Sequence, residues 1–241
     1  RFLHPYLKKL TPTFFQTPAK GGFSICMKPN RQIYDRAFKR IFSLSDIAIT
    51  NLINGLFCRD FPPDSSVSRP NGDFIRLDLK GRYSDVFVTV AGRHTFHLEA
   101  QTSTDSRIAL RVFEYSFHYA MSAQALPDSL HFPESIVIYL GQAKNIPEGN
   151  ILHFSFEGQG NFIYHVKNFS YLEHDTEGLA LKKMAAFIPF QTLRLRTLLR
   201  AGRPGGRKAD FDPDKFSRLQ DTVRHDIIGT IETSLKMGHL T

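Results

Sequence analysis

The stretch SDVFVTVAGRHTFHLEAQ, residues 84–101, constrains the fold more than any other part of the chain. On both sides of Gly92 apolar residues recur at every second position, which is the period of a half-buried strand. The three residues between the two runs, Ala91-Gly92-Arg93, suit a short hairpin turn. The segment therefore predicts two antiparallel strands, Asp85–Val90 and Thr95–Ala100.

Alternation along the second strand separates an apolar face from a polar one. The core face carries Phe96, Leu98 and Ala100, and the opposite face carries His97, Glu99 and Gln101. Pairing across the turn brings Asp85 close to Gln101. We therefore expect two carboxylates and an amide, those of Asp85, Glu99 and Gln101, in one cross-strand neighbourhood.

These residue types suit the hydrolysis of a phosphodiester. Mg²⁺ is a hard ion that takes one or two protein carboxylates together with water and substrate phosphate. Held by Asp85 and Glu99, it would polarise a phosphoryl oxygen and lower the pKa of a bound water, which the Gln101 amide can orient. The pattern also fits a second interpretation, in which this face is polar because it meets water and Asp85 caps the start of a strand.

The rest of the chain predicts an α/β protein with a mixed sheet. Helical spacing and capping residues predict two early helices and a long central one. The helices are expected at Asn30–Ser43, at Ser45–Phe57, from Thr104 or Asp105 to about Ala125, over Thr176–Arg200 with an interruption at Pro189, and over Asp214–Lys236. Further strands are expected at Phe74–Leu79, Ser135–Leu140, Ile151–Phe156 and Phe162–Val166.

Several motifs follow one another between Asn30 and Gly141. They are Asp35, Phe38 and Lys39 in YDRAFKRIF, the helix TNLINGLF, Asp85 with the E-x-Q of Glu99 and Gln101, Arg111 and Tyr115 in RVFEYSFHYA, and the strand PESIVIYLG. This order resembles the PD-(D/E)XK nuclease superfamily, and within it the Rpn-like recombination-promoting nuclease and putative transposase family. The IPF segment at Ile188–Phe190 matches more loosely.

The resemblance implies a restriction-endonuclease-like mixed β-sheet flanked by helices, and a Mg²⁺-dependent DNA endonuclease associated with transposition or recombination. It implies Asp85 and Glu99 as metal ligands, with Gln101 and Asp35 completing the catalytic set. Two departures stand out, since Gln101 replaces the lysine of E-x-K and Ser84 replaces the proline before the motif aspartate. The alternative is a catalytically decayed scaffold that serves as a DNA-binding or protein-interaction module.

Residues on two helices have alternative interpretations. Asp35 is either the additional acid that related nucleases place near the metal or a first-turn acid that interacts with the helix dipole and with Lys39. Arg111 lies with Arg107 and His118 on the helix side opposite the stripe of Ile108, Val112, Tyr115 and Tyr119. That side either binds DNA phosphates or is solvated, and Lys39 is a further candidate DNA contact. We expect His94 and His97 at the surface and Tyr115 in the core.

Charge and composition set the remaining expectations. The formal net charge is +8, and eight bases lie between Glu177 and Asp210 without an acid. That run is either a solvated face or a DNA-backbone contact. Residues 1–26 are expected to be disordered or non-native, and residues 27–202 to form the nuclease-like domain. Residues 203–241 are expected to form a helical tail that is either complete or truncated.

Removing the first 26 residues, which hold four bases and no acid, lowers the net charge to +4. Two cysteines form no disulfide framework, and no apolar run approaches the roughly 20 residues of a membrane span. We therefore expect a cytoplasmic protein. Its expected partner is DNA, and no association with a membrane is expected. The sequence leaves the oligomeric state open, with a homodimer as one option.

Overall fold

The structure, a computed structural model, describes residues 31–69, 84–123, 129–141, 145–192 and 213–241, and residues 31–241 group into one compact unit. The helices are α1 (Arg31–Ile41), α2 (Asp46–Phe57), α3 (Ile108–Ala123), α4 (Thr176–Leu181), α5 (Pro213–Thr222) and α6 (Gly229–Lys236). Short 3-10 segments occur at Tyr171–Glu173 and Ala185–Phe190, and a π-helical segment joins α5 to α6 at Val223–Ile228. The strands are β1 (Val67–Ser68), β2 (Ser84–Val90), β3 (His94–Gln101), β4 (Glu134–Tyr139), β5 (Gly149–Phe156) and β6 (Gly160–Ser170). The predicted strand Phe74–Leu79 and the predicted domain boundaries after residues 26 and 202 lie outside the described residues.

The described strands form one six-stranded mixed sheet in the order β1-β2-β3-β4-β6-β5. The pairs β1–β2, β2–β3 and β5–β6 are antiparallel, whereas β3–β4 and β4–β6 are parallel. The parallel step from β3 to β4 is made through α3, the crossover helix that such a connection requires. The prediction of a mixed α/β chain with helices flanking the sheet is confirmed.

The β2–β3 hairpin forms where the alternating pattern predicts it. Its register runs from Ser84 opposite Ala100 to Val90 opposite His94. The turn places Ala91 at φ 53° and Gly92 at φ 69°, both in the left-handed region, which favours glycine at the second position. The backbone N–H of Ala91 also donates to the carbonyl of Ser66 at 2.9 Å, which ties the turn to the start of β1.

Strand β3 is covered on both faces. On one side the ring of Phe96 contacts that of Phe57 on α2, with centroids 4.6 Å apart. On the other side α3 packs over the sheet, and its Ile108 and Val112 join a buried cluster with residues of β4 and β6. One interpretation of the sequence was that the strand face carrying Glu99 is polar because it meets water. That interpretation is wrong, because α3 covers this face.

The last residues that the structure describes pack against the start of α2. Ser45 is the N-cap of α2, and its hydroxyl accepts the backbone N–H of Ala48 and donates to the carbonyl of Leu240 at 2.7 Å. The amide of Asn51 donates to the carbonyl of His239 at 3.0 Å. The chain segment after α6 therefore contributes directly to the position of α2.

Strand β1 and the start of α3 differ from the sequence-based expectation. Strand β1 has only two residues, too few to show a period, and was not predicted. Helix α3 begins at Ile108 rather than at residue 104 or 105, because the Asp105 side chain accepts the backbone N–H of Arg107 in an Asx-type turn that precedes the helix.

The helix that follows β6 ends earlier than predicted. Helix α4 ends at Leu181, and Lys183 turns the chain with φ 58°. Pro189 therefore lies within a separate 3-10 segment instead of interrupting a continuous helix. No helix in the described part of the chain combines the length and apolar character needed to cross a membrane.

Candidate functional site

The predicted acidic residues converge at the end of the hairpin distant from Gly92. Asp85 on β2 is directly opposite Glu99 on β3, and residues directly opposite each other belong to the same face of a sheet. Gln101 follows two residues later, and its side-chain N–H donates to Glu99 Oε1. The predicted proximity of Glu99 and Gln101 is therefore confirmed, and that of Asp85 is confirmed for the backbone; the side chain of Asp85 lies outside the described residues.

The Glu99 carboxylate is fully buried, with 0% of the residue exposed. A buried carboxylate is costly unless a cation and hydrogen-bond donors compensate its charge. Arg111 Nη2 donates to Glu99 Oε1 at 2.9 Å, and the Gln101 amide donates to the same oxygen. The Glu99 charge is thus held in a fixed position by one guanidinium and one carboxamide.

Arg111 connects Glu99 to a second acid. Its Nη1 donates to Asp105 Oδ2 at 2.7 Å, and only 11% of its side chain is exposed. Burial by itself would lower the pKa of Arg111, but the carboxylates of Glu99 and Asp105 outweigh that effect and hold the pKa above its usual value. Arg111 is therefore a permanent cation, and its interpretation as part of a solvated helix face is wrong.

Asp105 is a site residue that sequence reasoning missed, since it was considered only as a helix cap. Its pKa lies below the usual value because its carboxylate accepts the backbone N–H of Arg107 and is close to the Arg111 guanidinium, although partial burial opposes the shift. With 34% of its side chain exposed, it forms the solvent-facing end of the acid–guanidinium–acid row. Its position just before α3, six residues ahead of Arg111, was the available signal.

Tyr139 on β4 is another residue that the sequence did not indicate. The parallel register places it opposite Gln101, and it is buried. Burial raises the pKa of Tyr139 above its usual value, while a hydrogen bond with the Asn150 side chain opposes that rise. The neutral phenol therefore lies beside the charged residues of the site.

His97, which was expected at the surface, is instead fully buried beneath α3. Its Nδ1 is 3.1 Å from Ser116 Oγ, which is in turn 3.1 Å from Ser135 Oγ. The Ser135 hydroxyl lies 2.9 Å from the hydroxyl of Tyr164. Burial lowers the pKa of His97 to about 3, so the imidazole is neutral at physiological pH. The expectation failed because α3 covers this strand face; His94, by contrast, is exposed as expected.

The remaining predicted residues belong to α1, to the turn before α3 and to α3 itself. Asp35 belongs to α1, but its side chain lies outside the described residues. Lys39 is exposed on α1, and Arg107 is exposed just before α3. Arg107 contributes its backbone N–H to Asp105, and no described contact joins its side chain to Glu99. Tyr115 is buried, as predicted.

The donor set at this position is chemically suited to a hard divalent cation. It offers the carboxylate oxygens of Glu99, with Asp85 at the opposite position on β2 and the carboxamide of Gln101 beside Glu99. Among the described residues no group of three or more His, Cys, Asp or Glu side chains is arranged to hold a metal ion. A cation bound here would share Glu99 with the Arg111 guanidinium.

Comparisons of the chain with protein-family models, with curated proteins and with solved structures find no match.

Proposed function

We propose that this chain is a Mg²⁺-dependent DNA endonuclease of the PD-(D/E)XK type, with a restriction-endonuclease-like fold and a role in transposition or recombination. The observation that carries the proposal is the register of the hairpin, in which Asp85 is directly opposite Glu99 and Gln101 follows on the same strand. Two acids in this arrangement suit the binding of one magnesium ion beside a phosphodiester, and the neighbouring amide suits the orientation of a water molecule.

Each residue has a distinct role in the proposed reaction. Asp85 and Glu99 hold the ion, which supplies Lewis acidity to the phosphoryl group and to a water molecule when it is bound. The Gln101 side-chain N–H binds Glu99, so its carbonyl oxygen is directed to accept a hydrogen bond from the attacking water. The exposed cations Lys39 and Arg107 are candidate contacts for the DNA backbone.

Arg111 compensates for the absence of lysine in the E-x-Q motif. Its guanidinium is 2.9 Å from Glu99 Oε1, so a permanent positive charge lies beside the acid although position 101 carries none. A fixed cation at this place favours the negative charge that develops on a phosphate during hydrolysis.

Plasmid nicking tests the proposal. The purified chain with Mg²⁺ should convert supercoiled DNA to the open-circular form, and Glu99→Gln or Asp85→Asn should abolish the conversion. Glu114→Gln, at an exposed position on α3, is the matched control and should cleave like the wild type. Circular dichroism verifies that all variants fold, and unchanged cleavage in both site variants would refute the proposal.

A second candidate function is supported by the burial of Glu99 and its ion pair with Arg111. A carboxylate enclosed in this way suits a scaffold that has lost catalysis and binds DNA or a protein partner instead. This alternative predicts that the chain retains DNA with an affinity that falls steeply between about 50 and 200 mM salt. It also predicts no cleavage in Mg²⁺, so the nicking assay and a salt titration of DNA binding distinguish the two functions.

A further inference from the structure

We propose that β5 is a dimerisation strand, through which two copies of this chain pair antiparallel to each other. β5 forms one edge of the sheet and pairs only with β6 among the described strands. It is eight residues long, which is enough for a substantial ladder of backbone hydrogen bonds with another strand. This inference does not depend on the nuclease proposal.

The backbone of β5 presents donors and acceptors away from β6. The N–H of Asn168 donates to the carbonyl of Glu148 at 3.1 Å, which fixes the phase of the antiparallel ladder. Because hydrogen-bonded pairs alternate along such a ladder, the backbone groups of Ile151, His153 and Ser155 point away from β6. No residue in the described ranges forms a hydrogen bond with these outward groups.

The sequence of β5 lacks the features that usually prevent edge strands from pairing. Its residues, GNILHFSF, include no Lys, Arg, Asp, Glu or Pro. Ile151 and Phe156 are each 54% exposed, as is Phe162 on β6. An uncharged strand with exposed apolar side chains gains from pairing with a second strand.

A second copy of β5 is the partner that fits this edge best. Two identical strands that pair around a two-fold axis bring the same short segment of each copy together. A charged residue in that segment would therefore lie near the same charge in the partner copy. β5 contains no charged residue of the Lys, Arg, Asp or Glu type. At the opposite edge the described part of the chain offers only the two residues of β1, too short for a head-to-tail pairing with β5. Pairing of β5 with β5 therefore closes as a dimer and joins the two sheets into one.

Substitutions at His153 test the proposal, because its backbone N–H points outward and its side chain is exposed. His153→Pro removes an outward donor without breaking a bond to β6, and His153→Lys introduces two like charges into the paired region. The control is His165→Lys on β6, because His165 is opposite Ile151 and exposed on the same sheet face, one strand farther from the edge.

The measurement is sedimentation velocity over a concentration series, together with hydrogen exchange. The wild type and His165→Lys should dimerise, whereas both His153 variants should raise the dimer Kd at least about tenfold. The amides of Ile151, His153 and Ser155 should become protected as the dimer forms. A wild type that stays monomeric, a dimer that is insensitive to both His153 variants, or a dimer that leaves these amides unprotected would each overturn the proposal.

Discussion

Arg111 lies 2.9 Å from Glu99 and 2.7 Å from Asp105, so a single guanidinium joins a fully buried carboxylate to one that reaches solvent. The arrangement fixes the orientation of Glu99 at the end of β3. It also means that Glu99 on β3 depends on α3 for the guanidinium of Arg111, although the two residues belong to separate elements of the fold.

Loss of Arg111 should therefore destabilise the protein. Arg111→Met leaves the Glu99 charge buried without its guanidinium, and breaking a buried ion pair in this way costs about 3–5 kcal/mol. Urea unfolding at pH 7 measures the loss. Arg107→Met, at an exposed position, is the control and should change the free energy of unfolding by less than about 0.5 kcal/mol. Equal stability of the two variants would contradict the structural role assigned to Arg111.

Magnesium should stabilise the folded chain through Glu99. A ligand that binds only the folded state raises the free energy of unfolding by about 2.7 kcal/mol when its concentration is 100 times its Kd. Thermal unfolding with and without MgCl₂, at constant ionic strength, should show a higher Tm for the wild type and no shift for Glu99→Gln. If Glu99→Gln retains the full shift, the ion binds at another place. EDTA should reverse the wild-type shift.

His97 should make the protein sensitive to acid. Its pKa in the folded state is about 3, below the usual value of 6.5, so between these values the unfolded chain binds a proton that the folded chain does not. Stability is therefore complete above about pH 6.5 and falls as the pH decreases towards 3, by at most about 1.4 kcal/mol per pH unit.

Urea unfolding between pH 7 and pH 4 measures this dependence. His97→Asn should show a shallower loss of stability than the wild type over the same range. His94→Asn is the control, since His94 is exposed, and it should retain the wild-type slope. Because acids such as Asp105 also lose stabilising charge as the pH falls, the difference between variant and wild type is the informative quantity. Identical slopes for wild type and His97→Asn would refute the assignment.

Gly141 should not tolerate a side chain. A Cβ atom at this position would lie 1.9 Å from the backbone carbonyl oxygen of Thr102, the residue that follows Gln101. Gly141→Ala therefore requires the backbone beside the site to move. We expect the free energy of unfolding to fall by about 1–3 kcal/mol.

Gly229 provides the comparison, because the nearest atom to its added Cβ is 3.7 Å away and the residue lies at the start of α6. Gly229→Ala should leave stability unchanged or raise it by up to about 1 kcal/mol through helix propensity. Thermal unfolding of both variants measures the difference. A Gly141→Ala variant as stable as the wild type would show that the backbone near Thr102 adapts at little cost.

The elements that the sequence predicted correctly are those governed by local patterns. The β2–β3 hairpin follows from a two-residue period and a turn containing Gly92. Helix α2 begins at Asp46, one residue after the predicted start, because Ser45 is its N-cap. The apolar stripe of α3, including Ile108 and Tyr115, was likewise evident because helical periodicity is a property of neighbouring residues.

The features that were missed depend on contacts between distant segments. The periodicity of α3 does not show which face of the sheet the helix covers, so the burial of His97 and the ion pair of Glu99 with Arg111 were not predictable from it. The parallel register that places Tyr139 opposite Gln101 is also set by packing across the crossover rather than by a turn. The sequence therefore predicts which residues of the hairpin lie close together, but it does not predict the electrostatic environment of the acids.

The bond from Ser45 to Leu240 also has a consequence for the order of events during synthesis. The two residues are 195 positions apart, so the contact that anchors the first turn of α2 is available only after Leu240 has been made. Closing a loop of this length must precede the gain from the contact, which slows folding. A nascent chain on the ribosome therefore carries α2 without its final anchor until the 195 residues from Ser45 to Leu240 have been added.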